Sequence, residues 1–234
     1  MGFDCGQVTG YHYAGQYTST FNGSTTQCAP YHEYLGWNGV DGQRQVPGSL
    51  AVLGNYQTDH TVGWIGAQLN SDQQWLQIGW YTGCITDLLT GGCTGTCQPP
   101  NCTWRGISYG WYIENQKPGG SSGYTITDEG PASLGAARTS DIIYNKKTGC
   151  WEAYLDYGGS LTYTDCAEGS NISGAMVATT EMDDNSGTAP GLPTAYFGTS
   201  NANTNQALRL HGANGWVSWT KVLSAHYTET YDEH

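Results

Sequence analysis

Residues 60–81 read His-Thr-Val-Gly-Trp-Ile-Gly-Ala-Gln-Leu-Asn-Ser-Asp-Gln-Gln-Trp-Leu-Gln-Ile-Gly-Trp-Tyr, two runs of alternating character about an Asn-Ser-Asp turn. A period of two predicts a β-hairpin, because successive side chains of a strand point to opposite sides of the sheet. Ile65, Ala67 and Leu69 share one face of the first run, and Leu76, Ile78 and Trp80 share one face of the second. That face is core. The other carries Val62, Trp64, Gln68, Trp75 and Gln77. Amides set among tryptophans are an unusual surface for strands that merely meet water.

The rest of the chain extends the pattern. With 34 Gly, 17 Tyr and 9 Trp but only 12% charged residues among 234, the composition favours pleated sheets joined by glycine-rich turns over helices. Alternation or short apolar runs predict further strands at 11–17, 50–54, 107–115, 124–127, 140–145, 151–157, 175–181, 207–210 and 216–228. Turn signals at Asn38-Gly39, Asp41-Gly42 and Pro47-Gly48 mark 36–59 as mostly loop. Residues 82–106 read as a long loop held by cysteines, and 128–138 as a loop with room for one helical turn. About ten strands without a long helix make the fold class all-β. The economical architecture is an antiparallel two-sheet β-sandwich, in which each sheet buries one face. A chain of this length suits one domain, 1–234, with 1–36 as an N-terminal segment packed on it.

Eight Lys and Arg stand against 20 Asp and Glu, a formal charge of −12. Such a surface repels phosphate backbones, so nucleic acid is not an expected partner. No run approaches the length of a membrane-spanning helix. The first five residues lack the basic and apolar segments of a signal peptide, and the expectation is a chain whose leader has been removed. Cys5, Cys28, Cys84, Cys93, Cys97, Cys102, Cys150 and Cys166 form an even set, which reads as four disulfides in a secreted, extracellular protein. Cys5 with Cys28 and Cys150 with Cys166 are natural pairs. Pairing within 84–102 stays open. Zinc is disfavoured there because no tight Cys-x-x-Cys knuckle occurs, so neither metal nor cofactor is expected. Asn22, Asn101 and Asn171 are sequons.

Val62-Gly63-Trp64-Ile65-Gly66, then Trp75-Leu76-Gln77-Ile78-Gly79, then Tyr112-Ile113-Glu114 resemble successive strands of the glutamic peptidase superfamily. The likeness is to the acid-acting fungal glutamic peptidases and, more loosely, to neprosin-like proteins. Residues 175–181 and Pro193-Thr194-Ala195-Tyr196-Phe197-Gly198 resemble a later strand and loop of that family, so the similarity spans roughly residues 60–200. The resemblance implies a concanavalin-like jelly roll and hydrolysis of peptide bonds in acid. It matches Gln77 to the family's catalytic glutamine. Anchored on its last residue, however, the later strand puts Val177 where the family has its catalytic glutamate, and the nearest acid of the same parity is Glu181.

On that basis Glu181 would be the general base and Gln77 would orient the water and stabilise the oxyanion, with Glu114 holding Gln77 or tuning Glu181. Trp64, Gln68, Trp75 and Tyr112 would line a substrate groove. The substrate would be a polypeptide and the protein a monomer. Two carboxylates on one sandwich face also suit glycoside hydrolysis. The same aromatics could bind a polysaccharide without reaction, as a lectin-like module, and an extracellular structural protein is a further alternative. The chain has no Gly-x-Ser-x-Gly elbow, no glycine-rich phosphate loop and no His-Glu-x-x-His.

Overall fold

The computed structural model describes residues 4–8, 11–17, 39–46, 59–68, 75–85, 103–116, 124–155, 161–165, 175–183, 196–197, 209–212 and 215–218. These hold fourteen strands. In chain order they begin β1 (Asp4–Val8), β2 (Tyr11–Tyr17), β3 (Gly39–Gln45), β4 (His60–Gln68), β5 (Trp75–Ile85), β6 (Thr103–Gln116) and β7 (Tyr124–Ala132). They continue as β8 (Ala137–Asn145), β9 (Cys150–Leu155), β10 (Leu161–Asp165), β11 (Ala175–Asp183), β12 (Tyr196–Phe197), β13 (Arg209–Gly212) and β14 (Gly215–Ser218).

Two antiparallel sheets result. One runs β1-β2-β11-β4-β5-β6-β7 and the other β10-β9-β8-β3-β13-β14, with β12 also paired to β3. No described ladder joins one sheet to the other. The first contributes Ile65, Ala67, Leu76, Ile78, Trp80, Trp111, Ile113 and Met176 to a shared buried cluster, and the second Val40, Ile142, Trp151, Ala153 and Leu210. Each leucine, isoleucine, valine or methionine side chain among them contributes about 1.5–3 kcal/mol by leaving water. Trp80 meets Tyr109 edge to face, with ring centroids 5.4 Å apart.

The predicted central hairpin is β4 and β5, with the expected core face. Gly63 is explained by that core. It pairs with Trp80, whose indole occupies the space that a β-carbon at Gly63 would need.

Several segments depart from the sequence expectation. Residues 39–45, read as turn, form β3 inside the second sheet, between β8 on one side and β13 on the other. Tertiary packing overrides the turn propensity there: Val40 is fully buried, and a β-carbon at Gly39 would lie 2.9 Å from that of His211. The 82–106 segment is not wholly loop, because β5 runs on to Ile85 and β6 begins at Thr103. An irregularity between Thr82 and Cys84, with Gly83 at φ 86°, lets pairing resume beyond the break in pattern. The 128–138 segment is largely strand, and the chain turns only between Ala132 and Ala137. β1, β10 and β12 are strands that the sequence reading did not name. The run predicted at 50–54 lies outside the described residues.

Cys150 is disulfide-bonded, and no free cysteine occurs among the described residues. The last described pair of the β9–β10 ladder, Asp165 with Trp151, stands one residue short of Cys166 and Cys150 in the sequence. Peptide mapping without reduction is expected to recover a Cys150–Cys166 linkage; Cys150 linked to any other cysteine would refute that pairing. Gly63→Ala should lower stability by about 1–3 kcal/mol through overpacking against Trp80, read as a lower denaturant midpoint with unchanged slope.

Candidate active site on the outer face of the seven-stranded sheet

The side of β4, β5 and β6 that turns away from the core is a grid fixed by register. One row across the sheet runs Val177, Gly66, Gln77, Glu114, Ile126. The next runs Thr179, Trp64, Gly79, Tyr112, Asp128. The glycines matter. Gly66 puts no side chain beside Gln77, and Gly79 puts none between Trp64 and Tyr112. Gly79 is also sterically required, because a β-carbon there would run into the β4 backbone at Gly63 and Trp64.

Gln77 and Glu114 are opposite one another on β5 and β6, and they touch. The Gln77 Nε2 donates to Glu114 Oε2 at 2.9 Å and to the Tyr112 hydroxyl at 3.0 Å. A primary amide nitrogen carries two hydrogens, and both are taken. Gln77 is 6% exposed, so its position is set by these partners and its walls, while Glu114 is only partly buried. Tyr112 is in turn fixed by Tyr81, which meets it edge to face with centroids 5.8 Å apart. A line of support therefore runs Tyr81, Tyr112, Gln77, Glu114, and ends at its one partly exposed member.

Trp64 and Tyr112 belong to the same face as Gln77, as the alternation predicts, but they are 2% and 0% exposed. They pack rather than present a ring to solvent. Gln68 and Trp75 pair with each other where β4 ends and β5 begins, and their side chains lie outside the described set. Glu181 is not brought to Gln77. Its backbone pairs with Val62 and Tyr13, whereas the β11 residue in Gln77's row is Val177, four positions away. At about 3.3 Å per residue and 4.8 Å per strand, the α-carbons of Glu181 and Gln77 are roughly 16 Å apart.

Asp128 is a neighbour that the sequence reading did not single out. It pairs with Tyr112, whereas Gly130 pairs with Trp111, so Glu129 is the extra residue of a β-bulge. Gly130 adopts φ 103°, and its N–H donates to Asp128 Oδ1 at 3.1 Å. Burial first, then the adjacent Asp128 charge, pushes the Glu129 carboxyl above its usual range, while Arg138 pulls it back. The sequence sign is Asp-Glu-Gly breaking the two-residue period within an apolar-polar run.

A second carboxylate cluster lies on the other sheet. Glu152, 7% exposed, accepts from Asn145 Nδ2 at 3.0 Å, Thr148 Oγ1 at 3.4 Å and the Tyr154 hydroxyl at 2.7 Å. The bond to Glu152 helps push the Tyr154 phenol up to about 12. Its donors come from the β8–β9 turn and strand, so the cluster staples that hairpin. Among the described residues no group of three metal-ligating side chains converges, and no helix is long and apolar enough to cross a membrane.

No protein-family model matches the sequence, and no curated protein matches it. Among solved structures, the chain is similar to Scytalido-glutamic peptidase with a peptide-based transition-state analogue, at 14% identity and TM-score 0.43, covering 88% of this chain and 82% of that one. It is also similar to SCP-B, a member of the Eqolisin family of peptidases in a complex with the tripeptide Ala-Ile-His, at 13% identity and TM-score 0.39, covering 88% and 81%. A functionally unknown protein from Saccharomyces cerevisiae is similar at 11% identity and TM-score 0.36, covering 75% and 85%. At these identities and scores the likeness assigns no residue a role.

Tyr112→Phe would leave one Gln77 hydrogen without its acceptor in a buried place, and should cost about 1–3 kcal/mol of stability. An unchanged unfolding midpoint would show that Gln77 does not depend on the hydroxyl.

Proposed function

We propose that this protein is an acid-acting endopeptidase of extracellular, disulfide-forming compartments, carrying an amide-carboxylate pair on a concanavalin-like β-sandwich. The observation that supports this most directly is the 2.9 Å bond from Gln77 Nε2 to Glu114 Oε2, on a face with glycines beside it. Glu114, rather than an acid on β11, is the base in this reading. Its carboxylate takes a proton from water as the water oxygen attacks a peptide carbonyl carbon. The C–N bond then breaks as the amine nitrogen takes a proton. Gln77 holds Glu114 in one orientation, so little reorganisation is needed as charge moves. Releasing Tyr112 would free one amide hydrogen for the developing oxyanion.

Substrate would approach from the Glu114 side of the row, which is partly exposed, because Gly66 and Gly79 are themselves buried. The burial of Trp64 and Tyr112 weighs against an open aromatic platform for sugar rings. Lewis-acid chemistry has no part in the scheme.

Acid-denatured haemoglobin incubated with the protein between about pH 3 and 5, where carboxyl groups exchange protons, is the direct test. Cleavage that falls about 10²–10⁴-fold in Glu114→Gln, in a variant that still folds, is expected. Loss in Glu181→Gln with full activity in Glu114→Gln would return the base to β11. Absence of cleavage by the wild type would refute the peptidase reading.

A further inference from the structure

The proposed reaction needs a proton donor for the leaving amine as well as a base, and the β11 position in line with Gln77 is Val177. An acid lies on the opposite flank. Asp128 pairs with Tyr112, and Glu114 follows Tyr112 by two residues on the same face of β6. Diagonal neighbours of this kind are about 7–8 Å apart. Their α-carbons are thus near enough for the two carboxyl groups, each only partly buried, to reach one peptide bond. The β-bulge makes the placement possible. With Glu129 inserted between the partners of Trp111 and Tyr112, the strand keeps Asp128 on the outer face, and the Gly130 N–H fixes one of its oxygens.

We infer that Asp128 is the second carboxylate of the site, giving its proton to the departing amine nitrogen while Glu114 takes one from the attacking water. The inference rests on the endopeptidase reading above. In each turnover the water oxygen bonds to the carbonyl carbon and the C–N bond breaks. The nitrogen takes the Asp128 proton, and Glu114 ends protonated. Exchange with solvent resets both groups. Among the described residues, the charged and titratable groups near Asp128 are Glu129 beside it and Glu114 and Tyr112 on β6; Arg138 on β8, 5.4 Å over the Trp111 ring, acts on Glu129.

The sign of the pH effect follows from the roles. A base must be deprotonated, so Glu114 sets the limb that rises with pH. An acid must be protonated, so the proton donor sets the limb that falls. Asp128→Asn retains an oxygen to accept the Gly130 N–H and removes only the titrating proton. Measured on acid-denatured haemoglobin, this variant is expected to lose about 10²-fold in kcat with KM little changed, and to lose the falling limb of its pH profile. Glu129→Gln should keep both limbs. Cleavage by Asp128→Asn with the wild-type rate and profile would overturn the assignment while leaving the endopeptidase reading intact. Loss of the falling limb in Glu129→Gln instead would move the role to the bulge residue and equally overturn it. A wild type that cleaves nothing sinks the reading and this role together.

Discussion

Pairing between β5 and β6 in a single register is the constraint on which the rest depends. Leu76, Ile78 and Trp80 face the second sheet only while Gln77 faces away, because neighbouring side chains on a strand cannot share a side. A slip of one residue would turn those three out of the core and drive Gln77 in. At about 1.5–3 kcal/mol for each large apolar side chain, that exchange is strongly disfavoured. The meeting of Gln77 with Glu114 is therefore enforced from behind, by oily side chains on the opposite face of the strand.

The same economy explains why the polar line is ordered. An amide whose two hydrogens are both committed, under a tyrosine wedged against another tyrosine, has few alternatives to explore. Its carboxylate partner inherits that order although it is partly exposed. The Glu152 cluster has comparable satisfaction but a different geometry: its donors belong to the turn and strand of one hairpin, so its order is spent locally.

Much of this was legible in the residues. Alternation alone gave the two faces of β4 and β5, and with β6 it put Gln77, Trp64, Tyr112 and Glu114 on one side. The contact between Gln77 and Glu114 needed register, which alternation leaves free by steps of two. β3 was hidden because Gly-Val-Asp-Gly carries turn chemistry, and its strand character comes from β8 and β13, distant in sequence. The bulge at Glu129 breaks the period that reveals a strand, so alternation ends β7 early and hides Asp128 with it. Glu181 drew attention by parity. Parity is preserved over four residues while the distance along the strand grows by about 13 Å.

The bulge has one more effect, on what surrounds the molecule. Among the described strands β7 borders its sheet, and a long, evenly pleated border invites a strand from another copy to join. Here the outermost strand bends at Glu129 and Gly130, follows with Pro131, which has no N–H to offer, and carries two adjacent acids. Its backbone groups cannot meet a straight strand in step. A straight strand from elsewhere would therefore find a poor template along this border, and the irregularity beside Asp128 is what spoils it.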